Sequence, residues 1–132
     1  MKIRLLLALL FGFCLISCTQ SSKDLKAIQH QQAGEYTVTI LSETGSLKQG
    51  ANNFTLEFRK TADQQLVDVG TVEVAPIMEM AGMSPMMATT EVAPSDAAGR
   101  YKVSGNFSMA GLWKCKVTFA NGQSVRFNLT AL

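Results

Sequence analysis

The sequence predicts an all-β domain, an immunoglobulin-like antiparallel β-sandwich of about seven strands. From Glu35 onwards, apolar and polar residues alternate with period two, the spacing that places every second side chain on the same face of a strand. Gly, Asn and Pro interrupt this alternation at intervals of about ten residues, as turns do in small sandwiches. No stretch carries a good helical pattern. The length of the patterned region suits a single immunoglobulin-like domain.

The strands are predicted one by one from this alternation. Residues 36–41 form the first strand, and the second places Phe54, Leu56 and Phe58 on one face. The third covers residues 67–74, with Gly70 as a candidate bulge where the alternation changes phase. The other four cover residues 89–92, 101–107, 113–119 and 125–129, the last two joined by a hairpin turn at Asn121-Gly122.

The N-terminus has the organisation of a bacterial lipoprotein signal. Lys2 and Arg4 precede an apolar run over residues 5–16, which is too short to span a bilayer comfortably. The run ends in Leu-Ile-Ser-Cys, and this resembles a lipobox whose cysteine, Cys18, is lipidated after cleavage. We therefore expect a signal peptide at residues 1–17, a lipidated flexible tether at 18–34 and a β-sandwich domain at 35–132.

The tether prediction rests on the polar, aromatic-free composition of residues 19–34. A lipid on Cys18 would hold the protein to a membrane of the bacterial cell envelope, facing the periplasm. Thr19 after this cysteine favours the outer membrane under the sorting rule of enteric-type lipoproteins. His30, the single histidine, lies in this tether and could at most add one imidazole ligand to a site elsewhere.

Composition excludes several functional classes. The chain has 12 Lys and Arg against 10 Asp and Glu, and removal of Lys2 and Arg4 with the signal leaves ten against ten. A neutral mature protein argues against nucleic-acid binding. The sequence carries no hydrolase, zinc-protease, redox or phosphate-loop motif, so we predict no enzymatic activity. Cys115 shares a predicted face with Trp113 and Val117, which favours a buried thiol over a reactive one.

The segment between the third and fourth predicted strands breaks the sandwich pattern because it is rich in methionine. Thioethers are soft neutral ligands that suit Cu(I) and are poor ligands for hard cations. The segment could instead fill an irregular part of the core, or form an adaptable patch for a protein partner. Gly82, Ser84 and Pro85 favour an exposed loop over a core strand. The candidate metal ligands are Met78, Met80, Met83, Met86 and Met87, supported by Met109.

Strand parity places Met109 near this loop. If every connection reverses direction, the loop after the third strand and the loop after the fifth, residues 108–111, open at the same end of the sandwich. The first predicted strand would start at the opposite end. We therefore expect the tether to hold the methionines away from the membrane.

Three short motifs resemble those of the YtkA-like domain family. They are Met83-Ser84-Pro85-Met86, Gly99-Arg100-Tyr101 and the segment 107–113, which contains Met109-Ala110-Gly111-Leu112-Trp113. The similarity covers roughly residues 36–130 and implies a small secreted or membrane-tethered β-sandwich. Relatives occur beside copper-resistance and efflux components, and FixH-like relatives are linked to cytochrome oxidase maturation. The loop is also similar to that of CopC-like copper carriers, but the histidines of a Cu(II) site are missing here, which argues against Cu(II) and leaves Cu(I) open.

Two functions follow as expectations. The first is a lipid-anchored periplasmic Cu(I) chaperone, buffer or efflux accessory that uses the methionine-rich loop, with a copper efflux or oxidase-assembly protein as its partner. The second is a lipoprotein that binds no metal and docks to an efflux or respiratory assembly through the same loop. Leucine in place of Met83 and Met86 should abolish the first function and largely spare the second, because leucine keeps volume and apolarity.

Overall fold

Residues 24–132 of the computed structural model are described here. The predicted signal peptide and Cys18 lie outside them. The described residues form strands and no helix, so no helix of this region is long and apolar enough to cross a membrane. The strands are β1 (Lys26–Ala33), β2 (Tyr36–Ser42), β3 (Gly50–Lys60), β4 (Glu73–Met78), β5 (Met86–Met87), β6 (Thr89–Pro94), β7 (Arg100–Phe107), β8 (Gly111–Phe119) and β9 (Gln123–Ala131).

The strands form two antiparallel sheets that pack face to face. One sheet has the order β1-β2-β3-β7-β6, and the other has the order β5-β4-β8-β9. Without β1 and β5, this is the arrangement of a constant-type immunoglobulin domain, four strands facing three. The predicted fold class is thereby confirmed, although the number of strands is nine and not seven.

The core of the described region lies between the two sheets. Alternate residues of each strand point inwards, as in β7, where Tyr101, Val103 and Phe107 are buried between exposed neighbours. Trp113 of β8 is fully buried and meets Phe107 edge to face, with ring centroids 5.3 Å apart. Phe58 bridges the sheets by contacting Phe119 at 4.9 Å. The 21 buried apolar residues of the described region lie between Val38 and Ala131.

The prediction of a flexible tether up to Gly34 is wrong from Lys26 onwards. Strand β1 pairs antiparallel with β2 from Lys26 opposite Ser42 to Ala33 opposite Tyr36, with an irregularity between Ala27 and Gln29. Gly34, at φ +58°, makes the tight turn between them. The strand is an edge strand held mainly by backbone hydrogen bonds, so it forms from a polar sequence that shows little apolar alternation.

The third predicted strand is displaced along the chain. Residues 66–72 lack strand structure apart from an isolated bridge of Leu66 to Arg59, and β4 begins only at Glu73. Backbone hydrogen bonds hold the segment against the end of β3, from Val67 N to Phe58 O (3.0 Å). Gly70, at φ +76°, lies in a turn in which its amide donates to Asp68 Oδ1 (2.9 Å), so it is not a bulge. Predicted strand seven, the Asn121-Gly122 turn and residues 89–92 agree with the structure.

The register defines two ends of the sandwich. Phe107 at the end of β7 pairs with Gly50 at the start of β3, and β8 begins from the same end. Strand β4 runs towards this end and finishes there at Met78. We call this the methionine end; the opposite end carries the 61–72 segment and the Asn121-Gly122 turn.

Candidate functional site

The methionine-rich segment folds back on itself as a narrow hairpin. Strand β5 is only two residues long and pairs with the end of β4, with Met86 opposite Met78 and Met87 opposite Ile77. The hairpin contains a turn in which Met83 N donates to Met80 O (3.3 Å) and Gly82 takes φ +73°. A positive φ at the third position of a turn is the requirement of a type II turn, and glycine meets it without strain. The predicted loop is thus largely present, with an unpredicted strand at its end.

The pairing sorts the methionines between two faces. Met78 is buried at 7% exposure, and Met80 and Met86 pack partly buried against the same core. Met87 follows Met86 directly and therefore points to the other face of the strand, where 71% of it is exposed. Met83 on the turn is 67% exposed. A single ion bound near the Met78–Met86 pair would be out of reach of the Met87 thioether.

The turn between β7 and β8 joins this hairpin at the same end, as strand parity predicts. The Ser108 hydroxyl donates to Met86 Sδ at 2.8 Å, so the sulfur is directed towards an exposed residue at the surface. Met109 is 41% exposed. Its carbonyl oxygen accepts a hydrogen bond from the buried Trp113 indole Nε1 (3.0 Å), which fixes the backbone beside the methionines.

Gly111 provides the space that Met78 occupies. It has φ +130°, and a Cβ placed on it would lie 3.1 Å from Met78 Cε, closer than side chains normally approach. The Met109-to-Trp113 motif therefore has a local function. Its glycine admits the Met78 side chain, and its tryptophan holds the turn.

Of the six candidate ligands, the structure brings together Met78 and Met86 as a cross-strand pair, with Met80 packed against the same core and Met109 on the adjoining turn. Met83 lies on the hairpin turn, and Met87 faces away. His30 is exposed on β1, opposite Thr39 of β2, in the other sheet. Within residues 24–132, no three His, Cys, Asp or Glu side chains are grouped so that they could hold a metal ion.

The donors at this end are therefore mainly thioether sulfurs, with the hydroxyls of Ser84 and Ser108 and backbone carbonyls beside them. Thioethers are neutral at every physiological pH, and they favour soft ions such as Cu(I) over hard ones. The acidic residue of the hairpin, Glu79, is occupied by an ion pair of 2.7 Å with Lys114 Nζ on the outer face of β8. Both partners are more than half exposed, so this pair contributes little to stability.

Sequence reasoning missed Ser108 and Gly111 as parts of this site. The one signal for Gly111 was its place in the Gly-x-Trp motif, which gives no hint that the glycine faces Met78. Ser108 had no signal, because its contact with Met86 depends on how two connections meet across 22 residues of chain.

Cys115 is buried at 0% exposure and is a free thiol, as predicted. It lies opposite Pro76 in the β4–β8 pairing, inside the core. Burial raises the pKa of its thiol to about 12, so almost no thiolate exists at neutral pH.

A second polar cluster lies near the opposite end, on the outer face of the five-stranded sheet. Glu57 is buried at 7% exposure and accepts hydrogen bonds from Arg59 Nε and from Arg100 Nε (2.9 Å). Burial raises the pKa of Glu57, but the hydrogen bonds and charges of the two arginines outweigh it and hold the pKa below its usual value. Arg59 Nη1 also donates to Gln64 O, which ties the cluster to the following loop. This cluster supports the fold.

The Gly-x-Tyr motif is structural as well. Gly99 takes φ +85° with its Cα against the Val67 backbone, and Tyr101 OH donates to Gly70 O (2.8 Å) and Asp68 Oδ1 (3.1 Å). Hydrogen bonds from the Gly70 amide and Tyr101 lower the pKa of Asp68. Burial and the Asp68 carboxylate raise the pKa of Tyr101. The motif fastens the 66–72 segment to the start of β7.

Comparisons with known proteins give a match to a protein family and to solved structures. A solved structure with a similar fold is the Lin-41 filamin domain, 11% identical, with a TM-score of 0.48 and coverage of 76% of this chain and 97% of that one. No curated protein matches the chain. The model of one family, described as YtkA-like, matches residues 30–118, a span that begins within β1 and includes the methionine hairpin and the Gly-x-Trp turn. The chain belongs to the YtkA-like family.

Proposed function

We propose that this protein is a lipid-anchored Cu(I)-binding protein of the bacterial cell envelope, acting as a metallochaperone, metal buffer or efflux accessory and not as an enzyme. The observation that carries the proposal is the pairing of Met78 with Met86 beside the turn that bears Met109. The anchor rests on the lipobox-like sequence that ends at Cys18.

The geometry favours a particular set of ligands. Met86 is the central candidate, because its sulfur reaches the surface at Ser108 and its backbone is paired with that of Met78. Met80, Met83 and Met109 lie on the two connections around it and are half-buried or exposed, so their flexible side chains can turn towards the same point. Two to four thioethers suffice for Cu(I). Met87 is excluded from this set by its position on the opposite face.

Ligation by thioethers has a functional consequence for pH dependence. No proton is released when a neutral sulfur binds a metal, so affinity should be nearly constant over mildly acidic and neutral pH. A site built on imidazole would weaken as histidine becomes protonated.

The test is an anaerobic Cu(I) titration of a soluble form that begins at Thr19, in competition with a chromophoric Cu(I) chelator. We expect stoichiometric binding by the wild type and loss of binding in Met83→Leu/Met86→Leu, because leucine keeps the volume but removes the sulfur. A wild-type protein that takes no copper from the chelator overturns the proposal.

Two matched controls make the test specific. Met87→Leu removes the immediate neighbour of Met86 but points to the other face, so it should bind copper like the wild type. Cys115→Ser should also keep the site, since the thiol is buried among core residues. Equal loss in Met87→Leu and Met83→Leu/Met86→Leu would mean that binding reflects methionine content and not this geometry.

A second candidate is an interaction lipoprotein that binds no metal and docks to an efflux or respiratory assembly. The exposure of Met83, Met87 and Met109 favours it, because unbranched thioethers adapt to many partner surfaces. Under this function, Met83→Leu/Met86→Leu would keep partner binding, and charged substitutions at the same positions would abolish it.

A further inference from the structure

Exposed apolar side chains are concentrated at one end of the molecule. Six large hydrophobic side chains of the described region are more than one third exposed. Each lies at the methionine end, either in a connection there or near the strand terminus that reaches it. Within residues 24–132, none lies at the opposite end. The six are Leu25, Met83, Met87, Met109, Leu112 and Leu132.

Their placement follows from the topology. Leu112 is the second residue of β8 and lies on its outer face, while Met87 occupies the outer face of β5 beside Ile77. Leu132 follows the last residue of β9, where Leu132 N donates to Leu47 O (3.0 Å) and its carbonyl accepts from Gln49 N (2.9 Å). Backbone hydrogen bonds thus hold Leu132 in an exposed position, 74% open to solvent. Clustered exposure of this kind marks a binding surface in soluble domains.

The chain also enters the domain at this end. Strand β1 runs antiparallel to β2, and Lys26 lies beside the 43–49 loop, 3.2 Å from the position of a Cβ on Gly45. Gln49 of the same loop donates to Ser108 O (3.0 Å). The expectation that the tether enters at the far end is therefore wrong, because the unpredicted strand β1 carries the chain back along the full sheet.

The length of chain before the domain then limits where this end can be. Seven peptide steps separate Cys18 from Leu25, and a fully extended chain of that length spans at most about 25 Å. The eleven residues of β3 alone extend over roughly 35 Å, which is longer than this stretch of chain. The methionine end is therefore held close to the anchor, and the opposite end can lie farther from it.

From these observations we propose that the methionine end is a membrane-facing surface whose exposed apolar side chains contact the lipid bilayer that holds the anchor. This inference rests on the anchor in the proposed function but not on copper. Methionine and leucine side chains enter the interfacial region of a bilayer favourably, and the anchor raises their local concentration there, so that individually weak contacts suffice.

The test measures how closely a tryptophan side chain approaches the bilayer, through the quenching of its emission by brominated phospholipids in vesicles. A form of the protein that begins at Cys18 is coupled through the Cys18 thiol to a maleimide lipid. This coupling reproduces the anchor whether or not cells attach one. The Cys115 thiol does not compete for the maleimide because it is buried. Leu132→Trp and Ser124→Trp place the probe near the two ends of the same strand, β9. We expect Leu132→Trp to lose most of its added emission on brominated vesicles, and Ser124→Trp to keep it.

Two further arms separate the outcomes. Adding Met87→Asp and Leu112→Asp should abolish the quenching of Leu132→Trp, whereas Met87→Leu and Leu112→Ile should leave it unchanged. Equal emission of both probes on brominated and ordinary vesicles overturns the proposal and leaves this end free for a protein partner. All arms are run without copper, so failure of the Cu(I) titration does not affect the result.

Discussion

Substitution of Gly99 by alanine should destabilise the domain far more than substitution of another glycine with a similar backbone conformation. Gly99 has φ +85°, and a Cβ there would lie 2.8 Å from Val67 O and 2.9 Å from Val67 N. Gly50 has φ +94° with nothing within 4 Å of the same position. The two substitutions share the cost of a positive φ and the change in the unfolded chain, so their difference reports the collision alone.

The magnitude follows from what the collision displaces. The Val67 backbone cannot rotate away as a side chain could. Two hydrogen bonds hold the colliding segments to β3: Val67 N donates to Phe58 O, and Phe58 N donates to Gly99 O (2.8 Å). Loss of both bonds at about 1 kcal/mol each, added to about 1 kcal/mol of backbone strain, gives roughly 3 kcal/mol for Gly99→Ala. Gly50→Ala should cost about 1 kcal/mol from strain alone.

Urea denaturation followed by the emission of Trp113 measures both values, since this single tryptophan is buried in the native core. A difference of about 2 kcal/mol is large for a domain whose total stability is on the order of 5–15 kcal/mol. If Gly99→Ala proves no worse than Gly50→Ala, the Gly-x-Tyr motif does not fasten the 66–72 segment in the way described here.

Three other predictions concern stability and reactivity. The folded-state pKa values of Glu57 and Asp68 lie below their ordinary values of 4.5 and 3.8, so both carboxylates stabilise the fold at pH values above these. This stabilisation is lost as the pH falls through the lowered pKa values. The urea midpoint of the wild type should therefore decline below about pH 4.5, and that of Glu57→Gln should decline less steeply. A steeper decline in the variant would contradict this assignment. Burial raises the pKa of the Cys115 thiol to about 12, so Cys115 should resist a thiol reagent at pH 8 in the folded protein and react once the protein is unfolded. Rapid reaction of the native protein would show that the core is open. A form that begins at Tyr36 should have a lower urea midpoint than one that begins at Asp24, because β2 loses its ladder with β1; equal midpoints would mean that β1 adds no stability.

The sequence predicted six strands (β2, β3, β6, β7, β8 and β9) near their observed positions because their signal is local, and it placed the strand that corresponds to β4 too early in the chain. In β7 and β8, every second residue is buried and the turns between strands carry glycine or asparagine. The two strands it missed, β1 and β5, are edge strands whose pairing is a matter of backbone geometry. Nothing in the composition of residues 26–33 distinguishes such an edge from a solvated tether.

The candidate site was predictable in composition but not in arrangement. Parity correctly brought the turn containing Met109 to the methionine hairpin. The opposite orientations of Met86 and Met87 could not be predicted, because they depend on the two-residue ladder with β4. The end at which the chain enters was predicted wrongly for a related reason, since one extra strand reverses the direction of everything that precedes it.

The shortness of β5 has a dynamic consequence. Its ladder consists of the Ile77–Met87 and Met78–Met86 pairs, and the chain beyond it is held by the bond of Ala88 N to Pro76 O (3.1 Å) and that of Thr90 Oγ1 to Val74 O (2.7 Å). Two residue pairs can open at a free energy far below that of global unfolding. The hairpin can therefore detach about a hinge at Ala88 while the sandwich stays folded, so the amides of Met86 and Met87 should exchange with solvent much faster than those of β8. A ligand shared between the hairpin and the Ser108 turn would slow that exchange, because it would have to be released before the hairpin opens.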